Sequence, residues 1–233
     1  MTDKQALVLL PGQLCDAALW QAQTAGLIDI AEMTVADLTL DDTIGAMAER
    51  ILAAAPPRFA VGAVSLGGYV AFELYRRAPD RITHLALMNS SARSDTEAQT
   101  ERRGQVVRAA GMGAFKGVTP RLLPAILHPD HVSDPHMAET VLAMAERVGK
   151  VAFERQAAAI IDRPDSRPLL PYISCPTLVV GGMADKMTPP ALQEEIAADI
   201  PHARLELLEI CGHLAPLEQP EAVNRLLREL LQT

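Results

Sequence analysis

The sequence has no run of apolar residues long enough to cross a membrane, and no basic amino-terminal segment followed by an apolar one. We therefore expect neither a signal peptide nor a transmembrane helix, and we expect the protein to stay in the cytoplasm. Basic residues are outnumbered, because 21 Lys and Arg stand against 29 Asp and Glu, and the formal net charge is -8. Such an acidic chain carries no electrostatic footprint for nucleic acid or for an anionic membrane. A small-molecule substrate is the simpler expectation.

Cysteine is scarce as well. The sequence has Cys15, Cys175 and Cys211, which are far apart and form no Cys-x-x-Cys pair. We interpret them as free thiols, because neither a disulfide framework nor a zinc site has this spacing. Residues 128–136 contain three His and two Asp, but their spacing fits no helix face and prolines interrupt them. We interpret this segment as a solvated loop and predict no metal site.

The most informative stretch that is present covers residues 59–74. An apolar, strand-like run reaches Ser65 and changes at once into a helical pattern. The small residues Ala63, Gly67 and Gly68 would let the start of the helix pack closely against the strand. This arrangement is typical of a nucleophile elbow, Gly-x-Ser-x-Gly, with alanine in place of the first glycine. On its own the stretch also fits a serine that caps a helix after a buried strand.

Two later segments supply an acid and a base in the order that an elbow serine needs. Residues 177–182 form a strand pattern that ends in two glycines, and Asp185 follows it. Residues 204–210 form another strand pattern, and Cys-Gly-His213 follows it. Other acidic residues, Asp162, Asp165 and Glu209, are nearby in sequence. The place of Asp185 just past the glycine-ended strand favours it as the partner of His213.

These three segments, with the run from Gly212 to Pro220, resemble the α/β-hydrolase fold superfamily over essentially the whole chain. The resemblance implies that Ser65 is the nucleophile, His213 the general base and Asp185 the acid that orients it. It also implies an oxyanion hole made by the backbone N–H groups of Gln13 and Leu66. Pro11 stands where many members have histidine. This chemistry needs no cofactor and no metal.

The implied fold is an α/β-hydrolase fold, a mostly parallel sheet of about six strands with a helical cap insertion. Alternating strand and helix patterns agree with it. With 233 residues, 49% of them hydrophobic, the chain can bury one full core. We expect a core of residues 1–90 and 173–233, with a cap of residues 91–172 inserted in it. The predicted strands are residues 7–10, 34–38, 59–64, 82–88, 177–182 and 204–210, and the predicted helices include 43–55, 137–148 and 218–231.

We expect a serine hydrolase that cleaves small apolar or aromatic carboxylic esters through an acyl-enzyme on Ser65. Lactonase, thioesterase, carbon–carbon bond hydrolase and perhydrolase chemistries share the same triad and stay open, as does a ligand-binding protein without turnover. The expected partners are an ester substrate and water, with no nucleic acid and no membrane, and the oligomeric state is left open. The substrate preference depends on apolar residues of the insertion and on the absence of clustered Arg or Lys in the sequence. These apolar residues are Met112, Phe115, Leu122, Leu123, Ile126, Leu127, Met137, Val141 and Met144.

Overall fold

A computed structural model describes residues 4–233 of the chain. Its centre is one sheet of six strands, all of them parallel. The strands are β1 (Gln5–Leu10), β2 (Ala31–Val35), β3 (Phe59–Val64), β4 (Ile82–Met88), β5 (Thr177–Gly182) and β6 (Arg204–Leu208). They lie in the order β2-β1-β3-β4-β5-β6. The predicted parallel sheet of about six strands is therefore confirmed.

The strands are buried because apolar side chains leave both faces of the sheet. Every residue of β3 and of β5 is buried. In β1, Leu7 and Leu9 join one apolar cluster, whereas Val8 and Leu10 join a second cluster on the opposite face. This alternation follows from the two-residue period of a strand. A sheet with two apolar faces must be covered by helices on both sides.

Ten α-helices surround or follow the strands in the described residues. They are α1 (Gln21–Gly26), α2 (Ile44–Ala54), α3 (Leu66–Arg77), α4 (Glu97–Ala109), α5 (Leu123–Ile126), α6 (Pro129–Val132), α7 (Pro135–Ile161), α8 (Pro190–Asp199), α9 (Ala215–Glu218) and α10 (Pro220–Leu231). Helices α2, α3 and α8 bury apolar side chains in one cluster, and α10 buries its apolar face in the other together with Trp20. Helix α2 begins as predicted, since the Thr43 side chain accepts a hydrogen bond from the Ala46 N–H.

The described chain between β4 and β5 contains helices and no strand. It holds α4, a π-helical turn over Ala110–Ala114, α5, α6, α7 and a 3₁₀ helix over Arg167–Tyr172. Helix α7 is interrupted at Gly149, whose φ of 73° lies in the left-handed region that glycine tolerates. Within residues 4–233, no helix combines the length and the apolar character needed to cross a membrane.

The predicted strand over residues 34–38 is wrong, because β2 covers Ala31–Val35. Pairing with β1 ends at the hydrogen bond from the Ala36 N–H to the Leu9 carbonyl. The Asp37 side chain then accepts the Thr39 N–H and starts a turn. Leu38 is fully buried, but it reaches the core from this loop, so its apolar character does not mark a strand. Strand β6 also ends earlier than predicted, at Leu208.

Strand β1 is followed in the chain by β2 on one side of it and then by β3 on its other side, so the order in which strands are added to the sheet reverses at β1. In open parallel sheets, ligands bind at such a switch point, outside the carboxyl ends of the strands. The residues after β1 and β3 at this edge are Gly12, Gln13 and Ser65. The topology therefore brings the predicted nucleophile and one predicted oxyanion residue to the same place.

Candidate active site

Ser65 lies on a sharp bend between β3 and α3. Its φ of 53° and ψ of -113° are unusual for a residue other than glycine. The bend is held by backbone and side-chain hydrogen bonds, since the Ser65 N–H donates to the Met88 carbonyl and the Ser90 hydroxyl donates to the Ser65 carbonyl. Backbone strain supported in this way is typical of functional sites.

Close contacts with neighbouring residues explain why residues 67 and 68 of the elbow are glycines. A Cβ atom on Gly67 would overlap the Leu10 carbonyl oxygen, and one on Gly68 would overlap the Ser90 side chain. Ala63, in contrast, is a buried strand residue whose methyl group packs in the apolar core. Alanine therefore fits the position where the usual elbow motif has glycine.

His213 lies in the loop after β6 and faces Ser65. Its Nε2 atom is 3.0 Å from Ser65 Oγ, and its Nδ1 atom is 2.8 Å from Asp185 Oδ2. The ring is buried, and the His213 N–H donates to the Ile126 carbonyl. An ionised carboxylate can only accept hydrogen bonds, so Asp185 requires the proton on Nδ1 and leaves Nε2 free to accept the Ser65 hydroxyl proton.

Asp185 is buried, and hydrogen-bond donors surround its carboxylate. Oδ1 accepts the Met187 and Thr188 N–H groups at 2.8 and 2.9 Å, and Oδ2 accepts the Thr188 hydroxyl at 2.7 Å and the Asn89 amide at 2.9 Å. Burial alone would raise the pKa of Asp185, but the charge of His213 and these hydrogen bonds lower that pKa to about 2. Asp185 is therefore ionised at neutral pH.

The other candidate acids do not contact His213. Asp165 pairs with Arg167, Asp162 ends α7, and Glu209 is exposed. The structure thus brings Ser65, His213 and Asp185 together in one hydrogen-bonded row, as the order of motifs predicted.

The two backbone N–H groups predicted to form an oxyanion hole lie beside the elbow. Within residues 4–233, neither the Gln13 N–H nor the Leu66 N–H donates to a protein acceptor. Leu66 opens α3, whose N-terminus carries partial positive charge. The next N–H, that of Leu14, donates to Gln156 Oε1 at 3.0 Å, which holds the loop after β1 against α7. The Gln13 and Leu66 N–H groups are thus available to donate hydrogen bonds to an oxygen atom of a substrate.

Glu218 is a buried residue whose part in this site the sequence patterns do not reveal. Its Oε1 atom accepts the Gly212 and Leu214 N–H groups on either side of His213, at 3.0 and 3.1 Å. Its Oε2 atom accepts the His128 backbone N–H at 2.7 Å and lies 3.0 Å from His131 Nδ1. One carboxylate therefore joins the His213 loop to the helical segment between β4 and β5.

These contacts correct the interpretation of residues 128–136 as a solvated loop. Residues Pro129–Val132 form α6, and α7 begins at Pro135. His131 contacts a buried carboxylate, so at least this histidine has a structural partner. The prolines that suggested a loop occupy first-turn positions of the two helices, where their missing N–H is not needed.

We predict that Glu218→Gln lowers kcat about tenfold and the free energy of unfolding by about 1–3 kcal/mol. A glutamine has one oxygen atom in place of two, so some of the buried N–H groups around it lose their acceptor. We expect KM to change little. Steady-state kinetics measures the change in kcat, and thermal unfolding measures the change in stability. Glu221→Gln is the matched control, since Glu221 is an exposed residue at the start of α10. Equal behaviour of the two variants would contradict this role for Glu218.

A cavity of about 700 Å³ opens above Ser65 and His213. Its apolar lining includes Phe115, Ile126 and Val141 from the segment between β4 and β5. Of the predicted apolar set, Leu123, Leu127, Val141 and Met144 are buried, whereas Met112 is 82% exposed and projects into solvent. Cys15 also lines the cavity, but burial and Asp16 raise the pKa of its thiol to about 12, so it is not a competing nucleophile.

The cavity also corrects the expectation that no basic residues gather at the site. Arg93, Arg103, Lys116 and Arg163 all line it. They are spread over 71 positions of the sequence, from 93 to 163, and form no local run. Arg103 lies on α4, Arg93 precedes that helix, Lys116 follows the π-helical turn and Arg163 follows α7, so only the packing of these segments brings the four to one cavity.

Comparisons with known proteins agree with the fold. A sequence model of the α/β-hydrolase fold family matches residues 37–220. The chain is 31% identical, over 173 residues, to a pimeloyl-[acyl-carrier protein] methyl ester esterase of Neisseria meningitidis, covering 72% of this chain and 67% of that protein. It is 27% identical to a 3-oxoadipate enol-lactonase of Acinetobacter baylyi over 72% of this chain and 62% of the relative.

Among solved structures, a thermophilic esterase from Thermogutta terrifontis, described with malate bound, has a TM-score of 0.87 and 30% identity. The match covers 98% of this chain and 89% of that one. An enol-lactonase from Burkholderia xenovorans has a TM-score of 0.88 at 24% identity and supports the fold alone, covering 99% of this chain and 92% of the other. With esterases among these relatives, the protein is an enzyme that hydrolyses ester bonds. The chain belongs to the α/β-hydrolase fold family.

Proposed function

We propose that this enzyme is a serine hydrolase that cleaves small carboxylic esters with apolar or aromatic groups through an acyl-enzyme on Ser65. The observation that carries the proposal is the row of side chains at the floor of the cavity. Ser65 Oγ lies 3.0 Å from His213 Nε2, and His213 Nδ1 lies 2.8 Å from Asp185. These distances suit proton transfer from a hydroxyl to an imidazole that a carboxylate orients.

In the proposed reaction, Ser65 Oγ forms a bond to the carbonyl carbon while His213 Nε2 takes the hydroxyl proton. The Gln13 and Leu66 N–H groups donate to the negative oxygen that develops. His213 then gives its proton to the alcohol oxygen as the carbon–oxygen bond breaks. Water repeats the sequence on the acyl-enzyme, giving a proton to His213, which returns it to Ser65 Oγ as the acid leaves. Asp185 keeps the ring oriented and balances its charge in both steps.

We also propose that residues 91–172 act as a cap over a core of residues 1–90 and 173–233. Residues of α4, α5 and α7 line the cavity opposite the elbow, among them Val106, Ile126 and Val141. A roofed cavity of this size buries most of a small ligand. Polymers would have to extend out of the cavity, so they gain less from binding there.

A series of p-nitrophenyl esters tests this proposal. We expect kcat/KM for the acetate and butyrate esters to exceed that for the decanoate ester at least about tenfold, because a long apolar chain would have to lie against the charged residues Arg103 and Arg163 that also line the cavity. Released p-nitrophenol gives the rate at matched substrate concentrations below micelle formation. A continuous rise of kcat/KM toward long acyl chains would contradict the small-ester proposal.

A further inference from the structure

One wall of the cavity is more basic than the protein as a whole. Arg93, Arg103, Lys116 and Arg163 line it, whereas Asp95 is the one carboxylate among the lining residues of the described chain. The formal net charge of the protein is -8, so a positive cavity wall runs against the overall charge. The wall lies on the same cavity as Ser65 and His213.

Carboxylates of the protein offset only part of this positive charge. Arg93 pairs with Glu195 at 2.9 Å. Asp95 lies between two guanidinium groups, 3.0 Å from Arg103 and 2.7 Å from Arg163. The Asp95 and Arg163 side chains are 2% and 6% exposed, so solvent screens this cluster little.

Two positive charges are left without a carboxylate partner on this wall. One belongs to the cluster of Arg103, Arg163 and Asp95, which has two guanidinium groups and one carboxylate. The other belongs to Lys116, which forms no ion pair in the part of the chain that the structure describes. The cluster is partly buried, and buried charge of one sign is costly unless a counter-ion joins it, whereas Lys116 is exposed and adds positive charge that solvent screens.

Tyr69 places a hydrogen-bond donor beside this cluster. It lies four residues after Ser65 on α3, which is about one helical turn. The Arg163 guanidinium stacks 4.3 Å from the centre of the Tyr69 ring, and Tyr69 lines the cavity. Burial raises the pKa of Tyr69, so the hydroxyl stays protonated and can donate.

We infer that this wall is a subsite for a carboxylate at the far end of the ester substrate, so that the preferred substrates are half esters of small dicarboxylic acids. The inference rests on the proposed function, because the same molecule must present its ester carbonyl to Ser65. Arg103 uses its Nε atom on Asp95 and forms no hydrogen bond through its two terminal nitrogens with described residues. Those nitrogens and the Tyr69 hydroxyl suit a monoanion. Arg163 already spends donors on Asp95 and on the Arg93 and Ile160 carbonyls, which leaves few for a dianionic phosphate.

The test compares monomethyl glutarate with methyl glutaramate, its neutral amide of nearly the same shape. In the wild-type enzyme we expect kcat/KM to favour the carboxylate substrate by about tenfold, the size of one charge-assisted hydrogen bond. The preference should decrease as salt screens the wall. Monomethyl succinate and monomethyl adipate in the same assay locate the chain length that spans from Ser65 to the wall.

Three variants each change one residue of the wall, so the test can continue if one of them does not fold. Arg103→Gln, Lys116→Gln and Tyr69→Phe should each reduce the ratio of the two kcat/KM values, with Arg103→Gln bringing it close to one. Arg108→Gln is the matched control and should keep the wild-type ratio. Arg108 is on the same helix α4, its side chain is 62% exposed and pairs with Glu101, and it does not line the cavity.

The outcomes separate this inference from the proposed function. A wild-type ratio near one, or a ratio that stays the same in all three wall variants, would overturn the carboxylate subsite. If p-nitrophenyl acetate were still hydrolysed by the wild type and not by Ser65→Ala, the proposed function would stand. If Ser65→Ala instead hydrolysed the ester as fast as wild type, the proposed function would be overturned, and the inference with it.

Discussion

Ser65→Ala should lower kcat for p-nitrophenyl acetate by about 10⁴- to 10⁶-fold, because it removes the atom that forms the acyl-enzyme. The fold should survive the change. In the structure the Ser65 hydroxyl has one partner, His213 Nε2, and the backbone bonds at the Ser65 N–H and carbonyl do not depend on the side chain. Kinetics and a thermal melt of the purified variant measure both effects.

Ser91→Ala is a suitable control for this experiment. Ser91 is also a serine at the cavity, and its hydroxyl oxygen accepts the Arg93 N–H. Its loss leaves the row of Ser65, His213 and Asp185 intact, so the variant should hydrolyse the ester. A folded Ser65→Ala variant with wild-type turnover would show that the nucleophile is another group.

Asp185→Asn should lower kcat by about 10³- to 10⁴-fold while the site keeps its shape. If the asparagine oxygen stays on the Met187 and Thr188 N–H groups, its NH₂ group faces His213 Nδ1 and forces that atom to accept. The proton then lies on Nε2, where it cannot receive the one from Ser65. The same NH₂ group also faces the donor amide of Asn89. Single-turnover kinetics measures the loss in the acylation step, and a rate within about tenfold of wild type would contradict the role of Asp185.

The same variant has a defined effect on acid stability. The pKa of Asp185 is lowered from its ordinary value of 3.8 to about 2 in the folded protein. Its ionised form therefore stabilises the fold by about 2 kcal/mol above pH 4, and this contribution is lost as the pH falls toward 2. We expect the difference in free energy of unfolding between wild type and Asp185→Asn to shrink over that interval. Urea unfolding at a series of pH values measures it, and a difference independent of pH would contradict the lowered pKa.

Local sequence patterns predicted the sheet and the proximity of Ser65, Asp185 and His213 because each pattern is set by neighbours in the chain. Small residues next to Ser65 are required by the close approach of Leu10 and Ser90. Asp185 and His213 each follow a buried or half-buried strand of a parallel sheet, so their places at its carboxyl edge follow from topology. The edge strand β2 was misplaced because its ends depend on pairing with β1 and on the Asp37 turn.

Features made by distant parts of the chain were not predictable in this way. Glu218 joins the His213 loop to residues 90 and 87 positions earlier, His128 and His131. The basic wall of the cavity combines Arg103 of α4 with Arg93, Lys116 and Arg163 from three separate connecting segments, which no local run of charge reveals. Both depend on how the segment between β4 and β5 packs on the sheet, and side-chain periodicity carries no information about that packing.

Labelling with a fluorophosphonate tests the central claim most directly, because such a reagent bonds to a serine oxygen only when a neighbouring base activates it. Intact-mass analysis and peptide mapping identify the modified residue, with Ser65→Ala, Ser91→Ala and Asp185→Asn treated in parallel. We predict one adduct per chain, located on Ser65, fast in wild type and Ser91→Ala, slow in Asp185→Asn and absent in Ser65→Ala. An adduct on another residue, or equal labelling of wild type and Ser65→Ala, would contradict the assignment of Ser65 as the nucleophile activated by His213.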